Sequence, residues 1–172
     1  LKNSKVSVGW GSPMAGVKLV GNMSNTTFTF HNSSIFGATE LSSALFDAGS
    51  GIWMRNMWMM QFVSTSASAF YAGSTLSIEE SQVVTFRDPI PSVEVSYILR
   101  DGSRFFFNRN RAITRNGYLS IDMYDVKNTS VVEMWGNEFH GSLLIYYQGT
   151  NQISVINNVL QMTLTSPIPW RG

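Results

Sequence analysis

Five arginines, Arg100, Arg104, Arg109, Arg111 and Arg115, fall within sixteen residues of this chain, interleaved with Phe105, Phe106 and Phe107 and several asparagines. Guanidinium groups present a planar fork of donors that fits carboxylate and phosphate oxygens, and the aromatic faces and amides between them add stacking and hydrogen bonding. The chemistry this pattern serves is recognition of an anionic glycan or a phosphate, and the binding expectation rests on these five residues. The alternative is a solvated hairpin, because Asp101, Asp122 and Asp125 stand close enough in sequence to neutralise part of the cluster.

Other candidate chemistry is sparse. Glu133 and Glu138 flank Gly136-Asn137, which reads as a hairpin, and two nearby carboxylates are the minimum requirement of a glycosidase. A solvated cross-strand pair is the preferred reading. His31 and His140 lack partner motifs, and the chain has no HExxH, GxSxG or P-loop sequence. Asp47 and Asp125 correspond between the two halves and are assigned to turns, where Asp bonds the local backbone. Four Asn-x-Ser/Thr sequences, at Asn22, Asn25, Asn32 and Asn128, point to surface loops. No catalytic residue, metal site or cofactor is expected, and the chain reads as non-enzymatic.

Composition narrows the setting. There is no cysteine, which excludes a disulfide framework, a thiol nucleophile and thiolate metal sites. Charged residues make up 13% of 172, about half the usual share, and the formal charge is +1, so no bulk field exists to hold nucleic acid or an anionic membrane. The most apolar window, 52–71, contains Arg55, Asn56 and Gln61 and is not a membrane span. The start at Leu1, without an initiator methionine or signal pattern, is expected of a processed chain, an ordered fragment or a trimmed one.

These residues must be positioned by strands. Short alternating or apolar runs recur from Lys5 to Thr165, no stretch keeps a 3.6-residue stripe, and Asp101-Gly102 and Asn116-Gly117 are strong signals for two-residue hairpins. The predicted class is all-β and antiparallel. Offsets of 76 to 78 positions align Ile35 with Ile113, Met57-Trp58 with Met134-Trp135 and Phe62 with Phe139. The segment Val84 to Pro91 likewise aligns with Met162 to Pro169. The expectation is a tandem duplication: one small β-sandwich over 1–91, a stiff Asp88-Pro89-Ile90-Pro91 linker at its end, and a second sandwich over 92–172 with a short tail.

Large apolar side chains exceed what two such units need. Read as one strand, Trp53 to Phe62 places Trp53, Met57 and Met59 on one face and Met54, Trp58, Met60 and Phe62 on the other, so both faces need cover. Trp53, Met57 and Met59, with Trp170 in the tail, are therefore the expected assembly interface of an oligomer or larger complex. A strand packed wholly within its own unit is the alternative.

A cysteine-free, β-rich, duplicated chain with Ser/Thr/Asn-rich loops and a strand beginning Trp53-Met54-Arg55-Asn56 resembles small proteins of the tail tip and tail-fibre modules of tailed bacteriophages. The resemblance implies a virion structural protein, located in the tail, that contacts other tail or fibre proteins and host-surface polysaccharide. No functional residue carries over from it. The competing expectation is a fimbrial or other bacterial surface adhesin, or a carbohydrate-binding module, located extracellularly or at the cell surface.

Overall fold

The computed structural model of the chain describes residues 5–9, 13–14, 16–64, 68–85, 93–150 and 153–161. The strands in chain order are β1 (Lys5–Gly9), β2 (Pro13–Met14), β3 (Val17–Ser24), β4 (Thr27–His31), β5 (Ser34–Asp47) and β6 (Gly51–Arg55). They continue with β7 (Trp58–Ser64), β8 (Ser68–Phe70), β9 (Thr75–Glu79), β10 (Gln82–Thr85), β11 (Val93–Leu99) and β12 (Arg104–Asn108). The last are β13 (Arg111–Val126), β14 (Val131–Trp135), β15 (Glu138–Gly149), β16 (Ile153–Ile156) and β17 (Val159–Gln161).

The chain is all-β, but every strand pairing among the described residues is parallel, and the predicted antiparallel sandwiches are overturned. The chain winds as a β-solenoid in which each circuit contributes one short strand to a seven-stranded sheet, in the order β1-β4-β6-β9-β12-β14-β16, and a longer arm to a ten-stranded sheet opposite. Parallel neighbours need a long crossover between them, and here each sheet supplies the crossover of the other. Both sheets run unbroken from one half of the sequence into the other: β9 and β12 pair over five residues, from Thr75 with Arg104 to Glu79 with Asn108. The proposed linker at 88–91 and the tail with Trp170 lie outside the described residues.

The spacing of stacked positions explains why the repeat was misread. Thr27 stacks on Gly51, Gly51 on Thr75 and Thr75 on Arg104, spacings of 24, 24 and 29 residues. An offset near 77 is three such circuits, so the apparent duplication samples every third copy of a shorter repeat.

Parallel in-register stacking places like positions above one another, so the core consists of columns. Phe28, Ile52, Leu76, Phe105 and Val132 form one, and Phe30, Met54, Ile78, Phe107 and Met134 a second, all at most 3% exposed. The long sheet faces them with Ile35, Met59, Val83, Ala112 and Phe139. Phe46 and Phe70 stack with ring centroids 4.6 Å apart and an interplanar angle of 4°. The alternating burial of β4 and β12 follows from the two-residue period of a strand with one face inward.

Two stacks of corners turn the chain. In one, Asn32, Asn56, Glu80, Arg109, Gly136 and Asn157 all adopt positive φ, between 49° and 64°. In the other, paired positive-φ residues precede a buried serine: Ala48-Gly49-Ser50, Ala72-Gly73-Ser74, Asp101-Gly102-Ser103 and Asn128-Thr129-Ser130. Asp101-Gly102 thus has the left-handed conformations expected of it, but they serve a solenoid corner and no hairpin. Asn116-Gly117 lies within β13, in an irregularity between Ile113 and Tyr118 where the register to β15 shifts. The segment read as one strand from Trp53 to Phe62 is cut by the corner at Asn56-Met57 into β6 and β7. Met57 and Met59, 2% and 0% exposed, therefore fill the chain's own core, and neither is available to an assembly interface. Trp53 points outward from β6 and remains half-buried.

Candidate functional site

The first corner stack carries an internal ladder and an outer cleft. One residue after each positive-φ position the side chain turns inward, and Asn110 and Asn137, 2% and 1% exposed, build the ladder with Asn158. The Ser81 amide donates to Asn110 Oδ1, the Asn110 amide to Asn137 Oδ1 and the Asn137 amide to Asn158 Oδ1, each at 2.9 Å. The amide nitrogens in turn donate to the carbonyls of Ile78, Phe107 and Met134. Equivalent positions one strand spacing apart let each amide side chain satisfy the corner of the preceding circuit, so buried polar groups keep their partners.

Outside this ladder lies a cleft of about 540 Å³ whose lining includes Asn32, Asn56, Trp58, Glu80, Gln82, Arg109 and Arg111. The positive-φ residues project their side chains here in a row. Asn56 Nδ2 donates to Asn32 Oδ1 at 2.6 Å. Arg55 clasps Glu80 with both Nε (2.9 Å) and a terminal nitrogen (3.1 Å), and Arg109 approaches the same carboxylate at 2.8 Å. The Arg55 hydrogen bond holds the Glu80 carboxyl below its ordinary range, and Glu80 raises Arg55 in return. Trp58 stands beside the row with Phe36, itself 54% exposed, at a centroid distance of 5.4 Å. On the far side the Arg109 guanidinium lies 5.6 Å from the centre of Trp135, a ring 39% exposed.

Of the five arginines, the four whose side chains are described do not gather into one patch. Arg104 begins the short strand β12 and Arg109 occupies the corner just after its end, and the strand's rise of about 3.3 Å per residue separates them. Arg100 pairs with Asp125, Arg109 with Glu79 and Glu80, and Arg111 with Glu138 at 3.2 Å. Arg104 is exposed and has no side-chain partner among the described residues. Arg115 lies in β13, and its side chain is outside the described part. Glu133 and Glu138 sit on either side of a corner: Glu133 accepts from Asn108 at 2.8 Å, and Glu138 contacts Arg111 and His140. They do not face each other across a hairpin. Asp47 accepts from the Ala48 amide at 2.7 Å, the turn role expected of it, whereas Asp125 holds Arg100 and Lys127.

Sequence reasoning missed the cleft because its residues are 24 to 29 positions apart. The signal that could have found it is the recurrence of Asn32-Ser33, Asn56-Met57, Glu80-Ser81, Arg109-Asn110, Gly136-Asn137 and Asn157-Asn158 at spacings of 21 to 29. Among the described residues there is no cluster of three or more metal-ligating side chains and no helix long and apolar enough to cross a membrane. Comparison with protein-family models, with curated proteins and with solved structures gives no match.

Proposed function

We propose that the chain is a non-enzymatic recognition module built as a rod, and that the corner cleft receives an extended, hydroxyl-rich polymer such as a glycan. The observation that carries this reading is the cleft itself, lined by Trp58, which Phe36 contacts from outside, and by one corner side chain from each of four circuits: Asn32, Asn56, Glu80 and Arg109. Sugar rings combine apolar faces with hydroxyl edges, and such a surface offers a partner for each. The charges along the row are internally paired, so they act as hydrogen-bonding groups toward an uncharged chain.

The proposed setting is an appendage in which a rod is useful: a phage tail or tail fibre contacting neighbouring tail proteins, or alternatively a bacterial surface adhesin. Parallel stacking lengthens along one axis without changing cross-section, which supports either. The test is retention on immobilised neutral surface polysaccharides, comparing the native chain with Trp58→Ala. Saturable binding lost in the variant supports the reading; equal retention of both, or none by either, refutes it.

A further inference from the structure

The outer face of the seven-stranded sheet carries a second arrangement, separate from the corner cleft. Parallel register places Thr29, Trp53, Ser77, Phe106 and Glu133 in one row across five strands. Ser77 points outward at the centre of this row and is nevertheless only 3% exposed, because half-buried rings flank it on both sides. Trp53 is laid down by a specific feature. A Cβ at Gly51 would stand 2.5 Å and 2.6 Å from atoms of the Trp53 ring, so the indole occupies the space above that glycine. Trp53 and Phe106 thus stand on strands two spacings apart, a backbone separation of roughly 9.5 Å. Their neighbours supply polar atoms: Ser77 Oγ donates to Glu79 at 2.7 Å, and Asn108 donates to Glu133.

Arg104 completes the arrangement. It lies on the same face two residues before Phe106, exposed and without a carboxylate partner among the described residues, whereas Arg55, Arg100, Arg109 and Arg111 are all paired. We infer that this face binds an acidic saccharide chain lying across the strands, with sugar faces stacked on Trp53 and Phe106 and a carboxylate of the chain held by Arg104. A guanidinium fork suits a carboxylate, and ring spacing along the solenoid axis suits successive units of a linear polymer. The site is independent of the corner cleft, and either can fail without the other.

The experiment titrates the full chain with a linear uronic-acid oligosaccharide and with a neutral oligosaccharide of equal length, following tryptophan fluorescence and calorimetry. The variants are Arg104→Gln, Phe106→Ala, Trp53→Ala and the cleft variant Trp58→Ala, with circular dichroism to verify folding. The native chain should prefer the acidic chain, and Arg104→Gln should weaken that binding roughly tenfold or more while leaving the neutral oligosaccharide unaffected. Phe106→Ala and Trp53→Ala should weaken acidic-chain binding, and Trp58→Ala should leave it intact. If Trp53→Ala does not fold, Arg104→Gln and Phe106→Ala, both at the surface, decide the matter. Equal affinity of the Trp58→Ala variant for the two chains, unchanged acidic-chain binding in Arg104→Gln, or loss of acidic-chain binding in Trp58→Ala alone would overturn the inference.

Discussion

Replacing Asn137 with alanine tests the corner ladder at its centre. The side chain is 1% exposed and accepts from the Asn110 amide at 2.9 Å while donating to the Phe107 carbonyl at 2.6 Å and to Asn158 Oδ1 at 2.8 Å. Alanine leaves the Asn110 N–H and the Phe107 C=O buried without their partners, and each orphaned group costs about 1–3 kcal/mol. The expected loss is about 2–6 kcal/mol, a large part of the total stability of an ordinary domain. Asn158→Ala breaks equivalent bonds at a half-exposed position, where water can replace the lost partners, and should cost less. The assay is guanidinium denaturation of both variants, paired with amide hydrogen exchange at Asn110 to separate local opening from global unfolding. A change below about 0.5 kcal/mol for Asn137→Ala, the range of ordinary surface substitutions, would refute the ladder as a structural element.

Further predictions concern glycine, serine and the paired charges. Gly51→Ala should cost about 1–3 kcal/mol by overpacking and shift the Trp53 emission, because the new methyl would meet both the ring and the Thr75 carbonyl, 2.7 Å away. Gly102→Ala, at φ +77° with only an ordinary contact at 3.8 Å to Thr129 Oγ1, should cost only the backbone term, about 1 kcal/mol, in the same denaturation assay. Ser50→Ala should destabilise by roughly 1–2 kcal/mol, because its hydroxyl accepts from the Thr26 amide at 2.9 Å and donates to Asp47 O at 2.6 Å. Ser74→Ala should be neutral or stabilising, since the buried Ser74 hydroxyl has no partner among the described residues. The Glu80 carboxyl is held below its ordinary value of 4.5, so its contribution is fully present above that pH and disappears as pH falls through the lower folded value. An NMR titration of Glu80 should show the depressed midpoint in the native chain and a return toward 4.5 in Arg55→Met.

Much of the local structure was legible in the residues, and the pairing was not. Alternation over Thr26 to His31 and Val131 to Trp135 marked β4 and β14, because a strand with one buried face has a period of two whatever its neighbour's direction. Asp101-Gly102 was read correctly as a place of positive φ and wrongly as a hairpin, because a type I′ turn and this corner demand the same left-handed pair. What separates them is the buried serine that follows, repeated in Ala48-Gly49-Ser50 and Ala72-Gly73-Ser74 at a spacing of 24, too short for a sandwich unit and right for one solenoid circuit. The apolar run around Met57 misled for a related reason. Met57 takes a corner position that Ser81, Asn110 and Asn137 fill elsewhere, and its side chain hid the break between two strands. For the candidate site, the arginines were visible as a cluster in sequence, but their carboxylate partners come from neighbouring circuits. Only parallel stacking reveals that Arg104 stands apart from the rest.

The direction of strand pairing is the central claim, and a chain without native cysteine allows a clean test of it. β9 and β12 each present outward residues at both ends, and the parallel register sets Thr75 beside Arg104 and Glu79 beside Asn108. Four double-cysteine variants, 75 with 104, 79 with 108, 75 with 108 and 79 with 104, would be treated with a short bis-maleimide and scored by mass spectrometry of the cross-linked peptides. The solenoid predicts efficient cross-linking within the chain for the first two pairs and little for the last two. The reverse pattern would mean that these strands run antiparallel, and the solenoid fold, with both proposed binding surfaces built on it, would be wrong.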